Sequence, residues 1–498
     1  MSSAAKPGAV ASKYEPVIGL EVHCQLKTAT KIFCGSRNRF GDPPNTHVCP
    51  VCLGLPGALP VLNREAVRLA LRAAVATGCT VPPVSVFARK NYFYPDLPKG
   101  YQISQFDRPL AVDGHVETSA AGGVRRLRLV RIHLEEDAGK LLHEGFPWSG
   151  EKSGVDLNRA GVPLIEIVSH PDLRSSEEAH AYLSALKAIL VYAGVSECNM
   201  EEGSLRCDAN VSIRPRGQEA LGTRVEVKNL NSFRNVARAI DHEVARQAAV
   251  LESGGRVVQE TRLWNADRGE TASMRSKEEA PDYRYFPEPD LPPLAVSREW
   301  VEEVRAELPE LPADKRRRFV AEYGLPEYDA GVLTLSRDVA DYFETAARES
   351  GDAKAASNWV MTDVLRKLKG ALDDDDHDEA APLARIPVPP SSLAELIRLI
   401  AKGTISGRIA KDVFERMWTT GASPREIVEG EGLTQVSDAG ALQSTIDAVI
   451  AESPDQVATY RKGKTSTLGW FVGQVMRRTG GKANPQVVNE LLKKTLGG

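Results

Sequence analysis

The sequence lacks several features that mark common classes of protein. It has no run of about 18 apolar residues, so no transmembrane helix is expected. Met1–Ser12 is small and polar and lacks the apolar stretch of a secretory signal, so we expect residues 1–13 to be a disordered lead-in. Cysteine is scarce, with seven in 498 residues, and only Cys49 and Cys52 form a close CxxC pair. This argues against a disulfide framework and favours a reducing, cytoplasmic location.

Two common nucleotide-binding motifs are also missing. Gly463-Lys464-Thr465 matches the end of a Walker A loop, but Ala458 stands where that motif needs glycine. No GxGxxG follows a strand and opens a helix. If the protein uses a nucleotide, neither a P-loop nor a Rossmann crevice holds it. The formal net charge is -4, so any contact with nucleic acid must come from a local basic patch.

The composition divides the chain into three zones after the lead-in. Residues 14–294 are rich in Gly, Pro and short alternating segments, which predicts a domain of mixed strands and helices. Residues 295–390 have helical periodicity and end in an acidic, proline-rich linker that begins at Asp373. Residues 391–498 predict short helices that begin at Ser391 and Ser423. Within the second zone, three segments have apolar residues at helical spacing: Val301–Glu307, Asp338–Glu349 and Ala356–Leu372. The fold class is therefore α+β, with all-α second and third domains.

The first zone contains strands that carry one charged face. In Val17–Leu26, the side chains of Glu21, His23 and Gln25 alternate with apolar residues and therefore share a face. The alternation recurs in two further segments: Ser204–Ile213 carries Arg206, Asp208 and Asn210 on one face, and Arg224–Lys228 carries Arg224, Glu226 and Lys228. Two other strands present carboxylates, with Glu166 inside an apolar strand and Glu135 and Glu136 at the end of another.

Two interpretations of this face are open. It could be the solvated front of an antiparallel sheet, and for any single strand that is the better explanation. A merely solvated face is usually rich in Lys, Glu and Thr, however, whereas these five segments carry Glu, His, Asp, Asn and Arg. Mg²⁺ takes one or two carboxylates and leaves positions for phosphate oxygens. Arg206 and Lys228 would then neutralise phosphate charge, so the set favours magnesium–nucleotide chemistry on the sheet.

Nine segments of the chain also carry a family resemblance. They are Val17–Leu26, Cys49–Pro60, Arg89–Asp96, Lys99–Phe106, His133–Lys140, Val155–Arg159, Met200–Asn210, Lys228–Phe233 and Asp282–Asp290. In order and spacing they resemble the B subunits of bacterial aspartyl/glutamyl-tRNA amidotransferases. The similarity runs from about Tyr14 to the C-terminus.

The resemblance implies a ligase of three subunits that converts Glu-tRNA(Gln) to Gln-tRNA(Gln), or Asp-tRNA(Asn) to Asn-tRNA(Asn). The A subunit releases ammonia from glutamine, and the C subunit is a small clamp. The B subunit uses ATP to phosphorylate the side-chain carboxylate of the tRNA-bound amino acid, which ammonia then attacks. Residues 14–294 would be the catalytic domain, built on a glutamine synthetase/guanidino kinase-like antiparallel sheet. The choice between the two misacylated tRNAs stays open.

The resemblance also assigns site residues. His23, Glu136 and Glu166 would bind Mg²⁺, with Glu21 and Glu135 as catalytic neighbours, although a lone strand histidine is more often a hydrogen-bonded sheet residue. The other assignments place Arg206 and Lys228 at the transferring phosphate, Glu202, Asp208 and Asn210 around the nucleotide, and Lys90 in the channel or gate for ammonia. Without the family, Lys90 is equally well explained as a surface lysine.

Three cysteines resemble part of a zinc site that many family members build from CxC followed by CxxC. Here Cys34, Cys49 and Cys52 are present, but Ser36 replaces the second ligand. Structural zinc normally has four protein ligands, and nothing in the spacing makes His47 the substitute. The pattern therefore favours a loop of free thiols over bound zinc.

The C-terminal zone contains the basic patch that the net charge hides. Gln456–Asn489 has no acidic residue, and Trp470 and Phe471 lie among its basic residues Arg461, Lys462, Lys464, Arg477, Arg478 and Lys482. A helical domain with a basic, solvated face is one explanation. In the family this domain grips the tRNA elbow, which favours RNA contact by shape and phosphate.

Two other functions compete with a role in an amidotransferase. One is a free-standing ligase or phosphotransferase of small substrates, against which the basic tail and the lack of a glutaminase signature count. The other is a tRNA-binding adaptor with a degenerate site, which is disfavoured because Glu21, His23, Glu136 and Glu166 are all retained.

Overall fold

The computed structural model describes residues 13–120, 123–276, 283–369, 386–435, 439–480 and 482–497. Most of the predicted lead-in and the acidic part of the predicted linker lie outside these described residues. Two compact units are present. Unit 1 contains the described residues up to Lys315 together with Leu335–Arg337, and unit 2 contains Arg316–Thr334 and the described residues from Asp338 onward. The predicted division at residues 14, 294 and 390 stays a prediction.

Unit 1 is built from strands and a few long helices. Its strands are β1 (Tyr14–Gln25), β2 (Val84–Ser85), β3 (Ala88–Asn91), β4 (Tyr101–Ser104), β5 (Ala111–Val112), β6 (His115–Ala120), β7 (Gly123–Glu136), β8 (Lys140–Leu142), β9 (Gly154–Asp156), β10 (Pro163–Ser169), β11 (Leu205–Pro215), β12 (Val225–Leu230), β13 (Glu260–Asn265), β14 (Glu270–Ser276), β15 (Phe286–Pro287) and β16 (Leu294–Ala295). Its helices are α1 (Arg64–Ala76), α2 (Ser176–Tyr192), α3 (Phe233–Glu252) and α4 (Arg298–Glu307).

A nine-stranded sheet organises unit 1. Its strand order is β14-β13-β12-β11-β1-β10-β7-β5, with β6 also paired to β7. Among these pairs only β12 and β13 run parallel. Three smaller sheets accompany it, formed by β15-β3-β4, β16-β2 and β8-β9. A mixed α+β fold is confirmed.

The core of unit 1 lies between the apolar face of the large sheet and the helices. On β1, Leu20 and Val22 point into this core and are almost completely buried. They meet apolar side chains from α1, α2 and α3, such as Ala70, Leu186 and Val236. Since successive strand residues alternate between faces, this burial directs the intervening polar residues of β1 to the opposite face.

The helices of unit 1 begin at capping residues that the sequence supplies. The hydroxyl of Ser175 accepts the backbone N–H of Glu178 at the start of α2, and Ser232 does the same for Asn235 at the start of α3. Each cap satisfies one of the backbone donors that the first helical turn leaves unpaired. The helices are thereby fixed at the ends nearest β10 and β12.

Unit 2 is helical throughout its described residues. Its helices are α5 (Pro312–Tyr323), which begins at the end of unit 1, α6 (Glu327–Leu333), α7 (Arg337–Ser350), α8 (Ala353–Trp359), a π-helical turn (Val360–Val364), α9 (Leu365–Lys369), α10 (Pro390–Ala401), α11 (Gly407–Thr420), α12 (Pro424–Gly430), α13 (Ala439–Ala451), α14 (Pro454–Arg461), a 3₁₀ turn (Thr465–Thr467), α15 (Leu468–Arg478) and α16 (Pro485–Gly497).

The predicted helical segments correspond to α4, α7 and the run from α8 to α9, and residues 370–372 lie outside the described part. Ser423 caps α12 in a capping box with Glu426. Helix α10 instead begins at Pro390, with Pro389 at its cap, so the predicted start at Ser391 was one residue late. None of the helices in the described ranges combines the length and apolarity needed to cross a lipid bilayer.

Candidate active site

The large sheet gathers charged side chains from five strands on one face. In the centre, His23 on β1 lies opposite Glu166 on β10 and opposite Arg206 on β11. Glu166 in turn lies opposite His133 on β7. Because directly opposite residues of antiparallel strands project to the same side, these side chains form one continuous row. We call this side of the sheet the polar face.

Two histidines and two carboxylates form a compact cluster on the polar face. The Nε2 atom of His23 is 3.4 Å from Oε2 of Glu166 and 3.8 Å from Oε1 of Glu135. The Nε2 atom of His133 is 3.4 Å from Oε2 of Glu135 and 3.5 Å from Oε2 of Glu166. Each histidine therefore faces both carboxylates. We call these four residues the His–Glu cluster.

The charges in the His–Glu cluster shift one another's protonation. Burial by itself would raise the pKa of Glu166 and of Glu135, but the two histidines outweigh it and both pKa values are lowered. Burial would likewise lower the pKa of His23, and the hydrogen bond and charge of Glu166 raise it instead. The carboxylates are thus held ionised, ready to bind a cation.

Three members of the cluster suit a divalent cation. One ligand atom each from His23, Glu135 and Glu166 lies within 4.8 Å of the others. Two carboxylates in a half-buried pocket fit a hard cation such as Mg²⁺, which also keeps water and phosphate oxygens as ligands. An imidazole is the least usual of these donors for Mg²⁺. The donor set therefore fits magnesium, with His23 as the exceptional ligand.

Glu136, predicted as a magnesium ligand, is not brought to His23. As the next residue along β7 it projects to the opposite side of the sheet, where its carboxylate pairs with Lys99 and accepts the backbone N–H of Ile103 at 2.8 Å. Glu135, not Glu136, has its carboxylate 3.8 Å from Nε2 of His23. The physical reason is the two-residue period of a strand, which sends adjacent carboxylates to opposite faces.

His133 is a member of the cluster that the site prediction omitted. The Nε of Arg131 donates to Nδ1 of His133 at 3.3 Å, so Nε2 carries the proton that faces the two carboxylates. The signal was present in the sequence, because His133 and Glu135 are two residues apart on one strand. His133 is placed to orient the carboxylates of Glu135 and Glu166, as hydrogen-bonding partners of metal ligands commonly do.

Cationic side chains extend the polar face toward β12. Arg206 donates from Nη2 to Oδ2 of Asp137 at 2.8 Å, and Asp137 also accepts from Gln25 at 2.8 Å. The Nε of Arg206 is buried and has no hydrogen-bond partner among the described residues. Lys228 contacts Oδ2 of Asp208 at 2.6 Å. A buried donor without a partner is costly, and the Nε of Arg206 is available to an oxygen acceptor.

Glu21 lies farther along β1 on the same face. It accepts a hydrogen bond from Nδ2 of Asn210 at 2.9 Å. Burial and then the charge of Glu166 raise its pKa, so Glu21 keeps its proton more readily than an exposed carboxyl. Both residues line a cavity of about 210 Å³ that also reaches Gly222 and Arg224. Four predicted residues, Glu21, Arg206, Asp208 and Asn210, are therefore brought together.

Lys90 approaches the cluster from β3 of the small sheet. Its Nζ lies 4.9 Å from the ring centre of Tyr283, and Glu135 is a charged neighbour. Burial would lower the pKa of Lys90, but the carboxylate outweighs it and the pKa is raised, so the amine stays charged. On the same small sheet, Ser104 donates to Glu135 at 3.0 Å. Lys90 is thus a charged neighbour of the cluster, whereas Glu202 is exposed in the turn before β11.

The cysteine loop forms its own cluster on unit 1. The Sγ atoms of Cys34, Cys49 and Cys52 lie within 4.8 Å of one another. Ser36 stands at the fourth position, with its Oγ 3.8 Å from Sγ of Cys52. The ring of His47 is held by Asp42 at 2.6 Å rather than by the thiols. Three thiols and a hydroxyl do not make the four-ligand set of a structural zinc site, so zinc stays a poor fit here.

The basic patch of unit 2 lies on α14, the turn that follows it, and α15. Arg461, Lys462 and Lys464 are exposed. Trp470 is 39% exposed, but Phe471 is fully buried in the core formed by α13, α15 and α16. Only one of the two predicted aromatic residues can therefore meet a ligand. Arg478 pairs with Glu452, whose carboxylate partly offsets the positive charge there.

The chain is similar to known proteins over nearly all of its length. Residues 16–302 match the family model described as the GatB/GatE catalytic domain, and residues 341–496 match the GatB domain. A protein of Chlorobium limicola is 57% identical over 486 residues, covering 98% of this chain and 100% of that protein. One of Carboxydothermus hydrogenoformans is 55% identical over 484 residues, covering 97% and 99%. Each is named as the B subunit of an aspartyl/glutamyl-tRNA(Asn/Gln) amidotransferase.

Proposed function

The chain belongs to the family of aspartyl/glutamyl-tRNA(Asn/Gln) amidotransferase B subunits, and from this premise we propose that its polar face activates a carboxylate with ATP. The substrate is the side-chain carboxylate of glutamate on tRNA(Gln), of aspartate on tRNA(Asn), or both. The observation that carries the proposal is the His–Glu cluster beside Arg206, whose buried Nε has no partner in the described residues. A phosphate oxygen supplies the partner.

Activation is needed because a carboxylate is a poor electrophile. A carboxylate oxygen of the substrate attacks the γ-phosphorus of ATP, the bond to the β–γ bridging oxygen breaks, and ADP leaves. Ammonia then attacks the carbonyl carbon of the acyl phosphate, and the bond to the phosphate oxygen breaks. Transfer of this kind is accelerated by positioning and by cationic groups that stabilise phosphate charge. In this chain Arg206 and Lys228 are the cationic groups on the polar face.

The His–Glu cluster is proposed to hold magnesium. His23, Glu135 and Glu166 would bind the ion, which when bound screens and orients the phosphates. His133 acts as a positioning residue, because its Nε2 faces the carboxylates of Glu135 and Glu166. Glu136 is not included, since its carboxylate lies with Lys99 on the other face.

The remaining polar residues are proposed to serve the nucleotide and ammonia. The cavity beside Glu21, Asn210 and Arg224 is assigned to the nucleoside part of ATP. Glu21, whose pKa is raised by burial, accepts a hydrogen bond from Asn210 at the wall of this cavity. Lys90, in contact with Tyr283 and near Glu135, is assigned to the route by which ammonia arrives.

We further propose that the large sheet is of the glutamine synthetase/guanidino kinase type. Its antiparallel strands with one charged face support this assignment. As partners we propose the A and C subunits, a glutaminase and a small clamp, because the relatives are named as one part of a larger enzyme. Misacylated tRNA would contact the basic patch of unit 2. The retained cluster speaks against a non-catalytic adaptor.

The test is reconstitution with the glutaminase and the clamp. ATP-dependent phosphate release and amidation are followed with both misacylated tRNAs. Glu166→Gln is expected to abolish both reactions while glutamine hydrolysis by the glutaminase continues. Glu15→Gln, on the same strand as His23 but paired with Arg214 at 2.8 Å, is the matched control and should retain activity. Undiminished amidation by Glu166→Gln would contradict the assignment of the His–Glu cluster as the active site. Phosphorylation of a free small acid without tRNA would contradict the assignment of misacylated tRNA as the substrate.

A further inference from the structure

The three-cysteine cluster lies around a buried lysine. Lys31 is fully buried, and its Nζ donates to the carbonyl oxygens of His47 at 2.7 Å and Leu157 at 3.2 Å. Within the described ranges Lys31 forms no ion pair with a carboxylate. Burial lowers the pKa of Lys31, and the three neighbouring thiols act in the opposite direction. A thiolate beside Lys31 would therefore favour its ammonium form.

Cys52 is the thiol best placed to carry that charge. Its Sγ accepts the backbone N–H of Cys49 at 3.0 Å, and Lys31 is a neighbour. A sulfur that accepts a backbone N–H and has a basic side chain beside it is stabilised as thiolate, the nucleophilic form. The sulfur also lines a cavity of about 110 Å³ that Gly161, Lys99 and Glu136 share. Cys52 is therefore both activated and reachable by a small molecule.

The thiol of Cys49 lies next to that of Cys52. The Sγ atoms of Cys49 and Cys52 are 3.6 Å apart, at the two ends of a CxxC turn in which Leu53 N–H donates to the Cys49 carbonyl at 3.0 Å. Formation of a disulfide requires the two atoms to close to about 2.05 Å. The other close pair, Cys24 and Cys198, has a similar Sγ separation of 3.9 Å but is completely buried in the core.

We propose that Cys49 and Cys52 form a thiol–disulfide modification site that reacts with small disulfides entering this cavity. The thiolate of Cys52 attacks one sulfur of the disulfide RSSR, the S–S bond breaks, and RS⁻ leaves. Cys49 loses its proton and attacks Cys52 sulfur in the mixed disulfide, releasing a second RS⁻. The sum is two protein thiols and RSSR giving one protein disulfide and two RSH. The oxidant is RSSR itself.

The site is distinct from the proposed ATP chemistry. The cavity lies on the side of the sheet to which Glu136 projects, not on the polar face that carries His23 and Glu135. The small volume selects short disulfides over bulky ones. Ser36 stands where a fourth cysteine would complete a closed four-thiol metal site. Because Ser36 has no thiol, Cys49 and Cys52 stay available for reaction with a disulfide.

The experiment exposes the full-length chain to bis(2-hydroxyethyl) disulfide and maps cysteines by mass spectrometry after acid quenching. A Cys49–Cys52 disulfide is expected to form at least about ten-fold faster than a Cys24–Cys198 disulfide, the internal control. Cys49→Ser is expected to stop at a mixed disulfide on Cys52. Cys34→Ser should still form the disulfide, and Cys52→Ser should give neither product.

Three results would overturn the proposal. The first is equal rates for the two cysteine pairs. The second is a disulfide in Cys49→Ser that joins Cys34 to Cys52, which makes Cys49 unnecessary. The third is one zinc ion per purified chain together with disulfide formation only after chelation. Lys31→Met is expected to slow the first step, and the cysteine variants keep the test valid if that change prevents folding.

Discussion

The choice between two adjacent carboxylates decides which residue can bind the metal. Glu135 faces His23 and His133, whereas Glu136 is occupied by Lys99 and the amide of Ile103. We predict that Glu135→Gln weakens Mn²⁺ binding by at least about ten-fold, because a charged donor is replaced by a neutral one. Electron paramagnetic resonance titration of free Mn²⁺ with the purified chain measures this directly.

The matched control for that prediction is the neighbouring residue. Glu136→Gln removes the same charge one position along β7, but on the other side of the sheet, and should leave Mn²⁺ affinity within about two-fold. If Glu136→Gln weakens binding and Glu135→Gln does not, the metal ligands are those named from the resemblance and the geometric assignment is wrong. The pair of variants therefore separates the two assignments.

At the scale of elements, the loop between β11 and β12 approaches β11 very closely. A Cβ atom added at Gly222 would lie 2.1 Å from the carbonyl oxygen of Ile213, a backbone atom that cannot swing away. Gly222 lines the cavity assigned to the nucleoside, together with Glu21 and Asn210. We predict that Gly222→Ala displaces the loop and raises KM for ATP by about five-fold, with a smaller change in kcat.

Steady-state kinetics of ATP-dependent phosphate release by the reconstituted enzyme checks this prediction. Gly150→Ala is the control, since a Cβ atom there meets nothing within 4 Å. An unchanged KM in Gly222→Ala would remove the cavity from the nucleotide site. It would leave the assignment of the His–Glu cluster untouched, because none of the four cluster residues lines that cavity.

Helices α5 and α7 of unit 2 are joined by a nearly buried carboxylate. Glu344 accepts hydrogen bonds from Tyr323 at 3.1 Å and from Arg318. Burial would raise the pKa of Glu344, but these partners outweigh it and the pKa is lowered. A lowered pKa gives stability that is present above the unfolded value, near 4.5, and is lost as pH falls through the folded value.

We therefore predict that Glu344→Gln lowers the free energy of unfolding at pH 7 by about 1–3 kcal/mol. The difference from the unmodified chain should shrink below about pH 4.5, where the carboxyl itself is protonated. Urea denaturation followed by circular dichroism at several pH values measures the difference. Glu349→Gln, exposed on the same helix, should change little, and a pH-independent difference would argue against the ion pair as the cause.

At the scale of the whole molecule, the residues proposed for catalysis and the residues expected to contact tRNA belong to different units. The polar face belongs to unit 1 and the basic patch to unit 2. We predict that Lys462→Glu with Lys464→Glu lowers tRNA affinity by about ten-fold at low salt and flattens the dependence of log Kd on log salt. Filter binding over a range of KCl concentrations measures both quantities.

The control for the tRNA prediction reverses two other lysines of unit 2. Lys493 and Lys494 are exposed on α16 and follow, in the sequence, the stretch without acidic residues that ends at Asn489. Their reversal should cost less affinity and leave a steeper salt dependence than reversal of Lys462 and Lys464. Equal losses from both pairs would mean that the total charge of unit 2, rather than the patch, attracts the tRNA.

The sequence by itself determined the chemistry of the polar face. A two-residue period separates Glu21 and His23 from Leu20 and Val22 without any knowledge of neighbouring strands. The helical character of unit 2 followed from local periodicity in the same way. The resemblance of nine segments named the family, and the comparisons confirmed it.

Only the tertiary structure decided which of these residues meet. His23, His133, Glu135 and Glu166 come from three strands, and strand order and register depend on contacts far apart in the chain. Those contacts brought His133 to Glu135 and Glu166 and placed Glu135 beside His23, while Glu136 pairs with Lys99. They also buried Lys31 among three thiols, because local spacing fixes the face of a side chain but not its distant partners.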